Sequence, residues 1–387
     1  MAEEKKKILF VVEAMGGGVF TYIVDLANEL VNKFDMYIAY GIRKQTPVNY
    51  KNYFDKRVHL IKVNSFERSI NPMKDLRVFF EVRCIADEIK PDIIHLHSSK
   101  AGAIGRVAFD KYKVNGENVP VFYTPHGYSF LMKNHGPVKR TVYRLIEKAC
   151  GKLNCTTISC SAGEHQESLK LNKRAVFVDN GINVEKLEQV LGRIQIEEHP
   201  LTVFTLGRIC YQKNPKMFNE VAQALPKVRF LWIGDGELRD ELRSKNIEIT
   251  GWADRKKALT KALSADIFVL TSLWEGLPIS LLEAMYMKKL CVVSDVIGNR
   301  DVIQNGVNGF VCRNSSDFVS AIRRAKDENN KHLVENAYDN ILHHYNTKTM
   351  AEEYALIYVG GIELLIVFVT VKGEYADCAA TGRMVAA

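Results

Sequence analysis

Two glutamates separated by seven residues stand in the segment EGLPISLLE, directly after the apolar run DIFVLTS. Pro278 suits the first turn of a helix, and the residues before it, Gly276 and Leu277, offer N–H groups at the positive end of the helix dipole. Such a helix start can hold a diphosphate or sugar hydroxyls, with Glu275 facing the ligand. The segment therefore predicts an anion or sugar site.

The second of these glutamates, Glu283, falls within the apolar stretch Leu281–Met285 of the same predicted helix. A carboxylate in that setting needs a hydrogen-bond partner, and paired sugar hydroxyls would provide one. A salt bridge to a neighbouring element is the alternative interpretation.

Two cations follow another apolar run, LTVFTLG. Arg208 stands at the end of that run, and Lys213 comes five residues later, shortly before Pro215, which suits a helix start. The guanidinium and the ammonium can converge on one diphosphate. Each charge taken alone is as well explained as a solvated surface cation.

A glycine loop, Gly16–Gly18, precedes a predicted helix over Val19–Leu30. There Gly17 and Gly18 can bring backbone N–H groups close to an anion. The spacing is not G-x-G-x-x-G, because Thr21 stands at the third glycine position, and this disfavours a dinucleotide enzyme. A flexible turn is the alternative.

Three further candidate residues stand at the end of an apolar run or just after it. Gly234 lies in a Gly-Asp-Gly turn, and Trp252 stands where it could stack on a base. His126 lies in TPHG, before a glycine. The alternatives are a tight turn, a packing tryptophan and a structural histidine. Because no Asp-x-Asp pair ends a run, we expect no bound metal ion and no cofactor.

The elements that must position these residues follow from the apolar runs, which alternate with stretches at helical period. Continuous β-branched runs are typical of parallel sheets covered on both faces. The pattern predicts an α/β chain with two doubly wound domains and a ligand cleft where the carboxyl ends of the strands meet. The runs lie at Ile8–Val12, Met36–Gly41, His59–Val63, Asp92–His97, Val121–Thr124, Thr156–Ser159 and Ala175–Asp179, and then at Leu201–Gly207, Arg229–Gly234, Ile247–Gly251, Asp266–Ser272 and Cys291–Asp295.

The length of 387 residues suffices for two domains. We place them at residues 1–185 and 186–358, with the hinge between Gly181 and Pro200 and a tail of unassigned role at 359–387. Residues 1–185 carry 28 Lys and Arg against 20 Asp and Glu, whereas the remainder has 25 of each. This one-sided excess indicates an anionic partner for the first domain.

The start MAEEKKK lacks the apolar core of a signal peptide, and the eight cysteines include no C-x-x-C pair. These features predict a cytoplasmic protein with reduced thiols. No run reaches the roughly 18 apolar residues that a membrane span requires.

The stretch 131–153 carries six basic residues against the single acidic Glu147, with apolar residues near helical spacing. A basic amphipathic helix can rest on an anionic membrane surface, where each cation adds about 1 kcal/mol. The alternative is a surface helix whose apolar side belongs to the core.

Taken together, these segments resemble the family 4 glycosyltransferases, retaining sugar transferases with two facing Rossmann-like domains in the GT-B fold. The resemblance covers residues 7–358, and its most specific element is the pair Glu275 and Glu283. The matching motifs are G-R with Q-K-N-P at Gly207–Pro215, WIGDGELRDEL at Trp232–Leu242, DNGIN at Asp179–Asn183 and NGVNGF at Asn305–Phe310. HLHSSKAGAIGR at His95–Arg106 and TPHGYSF at Thr124–Phe130 are similar to members from bacterial capsule and surface-polysaccharide biosynthesis.

The resemblance implies a role for each matching residue. Glu275 would contact hydroxyls of the donor sugar, and Glu283 the ribose of the nucleotide. Arg208 and Lys213 would neutralise the diphosphate leaving group. His126 would orient the reacting sugar during front-face attack, in which the departing phosphate helps to deprotonate the acceptor. The other implied donor contacts are Gly17, Gly18, Gly234, Trp252, Gly276, Leu277, Pro278 and Ile279.

We therefore expect a hexosyltransferase that uses a nucleotide sugar, with UDP as the expected nucleotide, and a polyisoprenyl-diphosphate-linked or saccharide acceptor. It would work in the cytoplasm or at the inner face of the cell membrane, without nucleic acid. Two interpretations stay open beside it, a nucleotide-sugar epimerase on the same fold and a non-enzymatic basic protein that binds membranes or nucleic acid. The tail at 361–387 has no counterpart in the family.

Overall fold

The computed structural model describes residues 5–360 except for 14, 44, 68, 70, 193–198 and 328–329. The tail at 361–387, to which we assigned no role, lies outside the described residues.

Two parallel sheets form the centre of the molecule. The first has seven strands in the order β3-β2-β1-β4-β7-β8-β9, and the second has six in the order β12-β11-β10-β13-β14-β15, while β5 and β6 pair as a small antiparallel hairpin. This topology confirms the predicted α/β class with two doubly wound units. The strands are β1 (Lys7–Val12), β2 (Asp35–Tyr40), β3 (His59–Lys62), β4 (Ile93–His97), β5 (Lys113–Val114), β6 (Glu117–Asn118), β7 (Val121–Thr124), β8 (Thr156–Ser159), β9 (Ala175–Phe177), β10 (Thr202–Leu206), β11 (Arg229–Ile233), β12 (Ile247–Ile249), β13 (Ile267–Leu270), β14 (Leu290–Ser294) and β15 (Phe310–Cys312).

Helices cover both faces of the sheets. They are α1 (Gly17–Leu30), α2 (Pro72–Ile89), α3 (Ser99–Ala108), α4 (Pro137–Cys150), α5 (Ala162–Leu169), α6 (Val184–Leu191), α7 (Pro215–Ala224), α8 (Arg255–Leu263), α9 (Ile279–Tyr286), α10 (Asn299–Val302), α11 (Ser315–Asp327), α12 (Lys331–His343) and α13 (residues 347–360).

Strand β1 shows why continuous apolar runs belong to such sheets. Ile8 and Phe10 lie in the core under α1, whereas Leu9 and Val11 lie in the core under α2 and α3. Successive side chains of a strand point to opposite faces, so a strand buried on both sides needs apolar residues throughout.

Every strand that the apolar runs predict is present, and the bounds differ by at most two residues. The sequence reasoning missed β5, β6 and β15. These strands have two or three residues each, too few for a pattern of period two to be recognised.

The last helix, α13, returns to the first sheet. Tyr354 and Tyr358 belong to the same core as α1 and β1, and the hydroxyl of Tyr22 donates to that of Tyr354 at 2.5 Å. Residues 350–358 therefore pack with the N-terminal unit, although we grouped them with the second domain. The domain ranges themselves stay a prediction.

Helix α4 has its apolar side outside. Its exposed residues include Val138 and Leu145, which are 78% and 61% accessible, together with Val142 and Ile146. The single carboxylate, Glu147, points inward instead, and its Oε2 accepts from Arg106 Nη2 at 2.6 Å. The alternative that the apolar side of this helix belongs to the core is therefore wrong.

A second exposed apolar stripe lies on α2. Met73, Leu76 and Phe80 recur at helical spacing on that helix and are all more than half exposed. Helix α3 contacts both α2 and α4, so the two stripes lie on the same side of the first sheet. Among the residues that the structure describes, no helix is long and apolar enough to cross a bilayer.

Candidate active site

The carboxyl ends of the two sheets meet at a pair of glycines. Gly127 follows β7 of the first sheet, and Gly276 follows β13 of the second. A Cβ on Gly276 would lie 3.1 Å from the Gly127 nitrogen and 3.1 Å from Cys160 Sγ, so the two turns are packed backbone to backbone. The contact places the TPHG turn directly beside the EGLP segment.

Two carboxylates of neighbouring elements brace this contact. Glu164 is fully buried, and its two oxygens accept from the Gly127 nitrogen at 2.7 Å and the Cys160 nitrogen at 2.8 Å. Burial raises the pKa of Glu164, and the two N–H donors offset part of that rise. Asp301 Oδ2 accepts from the nitrogens of Gly163 and Gly298, both at 3.0 Å, and so joins α5 to the second unit.

Glu275 is paired with Lys213 at this junction. Lys213 Nζ lies 2.7 Å from Glu275 Oε1, and Gln212 Nε2 donates to Glu275 Oε2 at 3.2 Å. The Glu275 side chain is nearly buried, and the Lys213 side chain is 16% exposed. The structure therefore brings together two predicted site residues that are 62 positions apart in the chain.

Local structure explains how Lys213 reaches this position. A short 3-10 turn covers Tyr211–Lys213, and Asn214 then takes a left-handed conformation and caps α7 with its side chain. The hydroxyl of Thr271, at the end of β13, donates to the Lys213 carbonyl at 2.8 Å. The turn is thus fastened to the strand that leads into Glu275.

Arg208 lies close to this pair but is less enclosed. Its side chain is 35% exposed, and its Nε is 3.8 Å from Glu237 Oε2. The preceding Gly207 has a φ of 145°, and a Cβ there would lie 3.5 Å from Lys213 Cε. Gly234 abuts the same turn, since a Cβ at that position would overlap the Gly207 carbonyl oxygen.

Glu283 is buried in α9 and faces a cation of another helix. Arg255 Nη2 of α8 lies 2.6 Å from Glu283 Oε1. Burial raises the pKa of Glu283, Arg255 lowers it in part, and the carboxylate of Asp25 on α1 raises it further. The structure thus shows the salt bridge that we considered as the alternative, and contact with a ribose stays a prediction.

The segment before α9 differs in one detail from expectation. The helix begins at Ile279, and Pro278 takes an extended conformation at the N-cap position instead of opening the first turn. The carbonyl of Leu277 accepts from Asn180 Nδ2 at 2.9 Å, so the DNGIN segment is tied to this helix start. The side chain of Leu277 is buried in the core of the second unit.

His126 lies at the other side of the glycine junction. It has a φ of 56°, and its Nε2 is 3.2 Å from His97 Nδ1. The ring of Tyr22 on α1 stands edge-on to it, with centroids 4.6 Å apart. Burial lowers the pKa of His126 to about 3, so the imidazole is neutral at physiological pH.

The glycine loop leads into the helix that borders this region. Helix α1 begins at Gly17, two residues earlier than predicted, and Gly17 has a φ of 59°. A Cβ on Gly17 or Gly18 would meet no atom within 4 Å, so the helix start is open. From this start α1 runs past His126 through Tyr22 and towards Glu283 through Asp25.

Trp252 is not joined to the other predicted site residues. Its side chain is 68% exposed, and the adjacent Gly251 lies near the Gly234 loop, since a Cβ on Gly251 would be 3.8 Å from Asp235 Oδ2. Stacking of this ring on a base stays a prediction.

Sequence reasoning did not single out several residues that shape the site. His97 and Glu164 act through His126 and Gly127, and Arg255 acts through Glu283. Of these three residues, only His97 had a position that could have indicated a site, since it stands at the end of a predicted strand. Glu164 and Arg255 look like ordinary charges of amphipathic helices.

No group of three or more potential metal ligands occurs in the described part of the chain. The cations at the junction are side chains of the protein, Lys213 and Arg208.

Two family models match the chain. The model described as Glycosyltransferase Family 4 matches residues 16–186, and the model described as Glycosyl transferases group 1 matches residues 200–328. The two matches follow one another along the chain and correspond to the first and the second sheet.

Curated relatives are similar over most of the chain. The UDP-Gal:alpha-D-GlcNAc-diphosphoundecaprenol alpha-1,3-galactosyltransferase of Escherichia coli is 30% identical over 343 residues, covering 80% of this chain and 85% of that protein. The N,N'-diacetylbacillosaminyl-diphospho-undecaprenol alpha-1,3-N-acetylgalactosaminyltransferase of Campylobacter jejuni is 28% identical and covers 76% of this chain and 84% of that protein.

Among solved structures, HepE from Anabaena in complex with UDP and glucose superposes with a TM-score of 0.71 at 17% identity. The match covers 90% of this chain and 98% of that chain. At this identity the likeness establishes the fold alone.

The close packing at the glycine junction predicts that a side chain at Gly298 lowers stability, and Gly306 offers a matched control. Gly298 has a φ of 84°, and a Cβ there would overlap the Gly276 carbonyl oxygen, whereas Gly306 has a φ of 77° with open space around it. We expect Gly298→Ala to lower the free energy of unfolding by about 2–4 kcal/mol and Gly306→Ala by about 1 kcal/mol. Urea unfolding measures both, and equal losses would contradict the close packing.

Proposed function

Because the chain belongs to the family 4 glycosyltransferases, we propose that it moves a hexose from a UDP-sugar to an acceptor linked to polyprenyl diphosphate, with retention of configuration and without a metal ion. The observation that carries the proposal is the Lys213–Glu275 pair, held beside His126 where the carboxyl ends of the two sheets meet. The acceptor and the nucleotide are suggested by the relatives, since the Escherichia coli enzyme is named for a UDP-Gal donor and a diphosphoundecaprenol acceptor.

On the donor side, the cations and the carboxylate have separate tasks. Arg208 and Lys213 face the diphosphate, where negative charge grows as the glycosidic bond breaks. Glu275 accepts hydrogen bonds from sugar hydroxyls while it keeps Lys213 in place. Glu283, set between Arg255 and α1, receives the ribose hydroxyls of the nucleotide. The open start of α1 at Gly17 and Gly18 borders the donor, as do Gly234 and the segment Gly276–Ile279.

If configuration is retained, the pairing of two carboxylates in the first unit favours front-face attack over a double displacement. A double displacement needs a carboxylate nucleophile, but Glu164 already accepts from two backbone nitrogens, and Glu13 at the end of β1 accepts from Arg43 Nε at 3.0 Å. Front-face attack needs no such group. The bond from the sugar C1 to the diphosphate oxygen breaks, the acceptor oxygen bonds to C1 on the same face, and the acceptor proton passes to the departing phosphate. Neutral His126 orients the sugar.

The role of Glu275 is tested by Glu275→Gln. Loss of the charge weakens the hydrogen bonds to sugar hydroxyls and frees Lys213, so we expect sugar transfer to fall about 100-fold while the protein stays folded. Transfer from UDP- and GDP-sugars to a polyprenyl-diphosphate acceptor would be measured with Glu241→Gln, an exposed glutamate, as the control. Near wild-type turnover of Glu275→Gln would exclude the assigned role.

Metal independence follows if side-chain cations stabilise the leaving group. We expect the transfer rate to be unchanged in excess EDTA, because Arg208 and Lys213 supply the positive charge that a divalent ion supplies elsewhere. Loss of transfer in EDTA and its recovery with magnesium or manganese would withdraw the assignment to these two residues.

The exposed face of α4 supports peripheral contact with an anionic membrane, at its cytoplasmic side. Apolar residues project outward, Lys139 and Lys148 are exposed beside them, and the only carboxylate of the helix is turned inward. Such a face combines apolar area with attraction to anionic lipid. The stripe of Met73, Leu76 and Phe80 on α2 extends the same surface. A lipid-linked acceptor would then be presented from the side of the basic domain.

Vesicle flotation tests this surface. We expect the wild type to float with phosphatidylglycerol vesicles at low salt and much less with phosphatidylcholine alone. Replacement of Leu145 and Ile146 by Asn should lower binding at least tenfold, because burial of each side chain stabilises by about 1.5–3 kcal/mol. Leu342→Asn, on α12, is the control. Equal flotation of all three proteins, or none at low salt, would refute the membrane role of α4.

A further inference from the structure

Three histidines form a buried cluster behind the glycine junction. His95 and His97 both lie on β4 and are fully enclosed, and their ring centroids are 4.0 Å apart. The ring of His97 stacks on that of His126 at 5.4 Å. Burial lowers the pKa of each of the three, so each imidazole carries one proton and has one N–H donor and one acceptor nitrogen.

The hydrogen bonds of this cluster leave two nitrogens to be accounted for. His95 uses both of its nitrogens, with Nδ1 bonded to the Tyr358 hydroxyl and Nε2 to the Thr124 hydroxyl. The Nδ1 of His97 and the Nε2 of His126 bond to each other at 3.2 Å. His97 Nε2 is buried without a hydrogen-bond partner, while His126 Nδ1 has no partner among the described residues and is not enclosed.

The bond between the two rings permits two arrangements of protons. If His126 Nε2 donates to His97 Nδ1, the proton of His97 sits on Nε2 and becomes a buried donor with no partner. If His97 Nδ1 donates to His126 Nε2, the unpartnered atom is a bare acceptor and His126 carries its proton on Nδ1. Among buried backbone groups of folded proteins, N–H donors without a partner are rarer than under-satisfied acceptors, and the same preference favours the second arrangement here.

We propose that His97 is a positioning residue that donates from Nδ1 to His126 Nε2, and so holds His126 as a hydrogen-bond donor whose Nδ1–H faces the bound nucleotide sugar. The hydrogen bond of one nitrogen decides which nitrogen of the ring keeps the proton. His126 then supplies an N–H to an oxygen of the donor substrate and does not act as a base. The tautomer rests on the geometry of this cluster alone, whereas its effect on transfer rests on the proposed function.

The tautomer is measured directly by long-range proton–nitrogen NMR on the wild-type protein with nitrogen-labelled histidine. Signals are assigned from those lost in His126→Gln and His97→Asn. We expect both His97 and His126 to be protonated at Nδ1 throughout pH 6–8. A signal of His126 protonated at Nε2 would overturn the proposal, whatever the activity of the protein.

Variants at position 97 test the positioning role. We expect His97→Leu to lower kcat about tenfold with little change in the donor KM, because the hydrogen bond that fixes the tautomer of His126 is lost. His97→Asn, which keeps an N–H near the place of Nδ1, should stay within about threefold of the wild type. His165→Leu is the matched control, since His165 is also buried with an unpartnered nitrogen, while its ring packs against Phe177 and has no hydrogen bond to His97 or His126.

These outcomes distinguish the tautomer of His126 from its effect on sugar transfer. Equal kcat values for His97→Leu and the wild type would overturn the positioning role. Equal losses in His97→Leu, His97→Asn and His165→Leu would do the same, because they would mark a general packing effect. If the wild type transfers no sugar from any donor, the proposed function fails, and the NMR measurement still decides the tautomer.

Discussion

The backbone contact between Gly127 and Gly276 is the constraint on which the arrangement of the site depends. The two residues follow parallel strands of different sheets, and the space between them leaves little room for a side chain at position 276. Since the carboxyl ends of parallel strands carry the ligand-binding loops, this contact sets the distance between the loops of the two units. Glu164 and Asp301 secure it by accepting hydrogen bonds from the backbone on either side.

Three buried carboxylates are paired with cations of other elements. Glu275 meets Lys213, Glu283 meets Arg255 and Glu147 meets Arg106, at 2.6 to 2.7 Å. A buried carboxylate with neither a cation nor N–H donors would be strongly unfavourable, and an ion pair as a whole adds little net stability. The pairs of Glu275 and Glu283 differ in role from the pair of Glu147. Glu275 and Glu283 lie in the segment that we assign to donor binding, whereas Glu147 anchors a surface helix by its polar side.

The inward carboxylate of α4 also bears on the charge of the first half. With Glu147 turned to Arg106, the outer face of α4 carries apolar residues and cations but no carboxylate of that helix. Part of the basic excess of the first half therefore lies on the side of the first sheet that also carries the α2 stripe. The second half, although neutral overall, has its own cations, so the nucleotide binding that we propose does not require that excess.

The sequence by itself determined most of the strands, their parallel arrangement, the two-unit plan and the residues at the strand ends, because these depend on local periods of two and 3.6 residues and on turn chemistry. The glutamates and cations of the candidate site could be identified from the sequence because they follow the ends of predicted strands. Only the tertiary structure decided the partner of each polar side chain: Arg255 for Glu283, His97 for His126, and Arg106 for Glu147. It also decided that the apolar side of α4 faces outward and that α13 returns to the first sheet. These contacts join residues that are far apart in the chain. They depend on how loops and helices pack in three dimensions, which no local sequence pattern predicts.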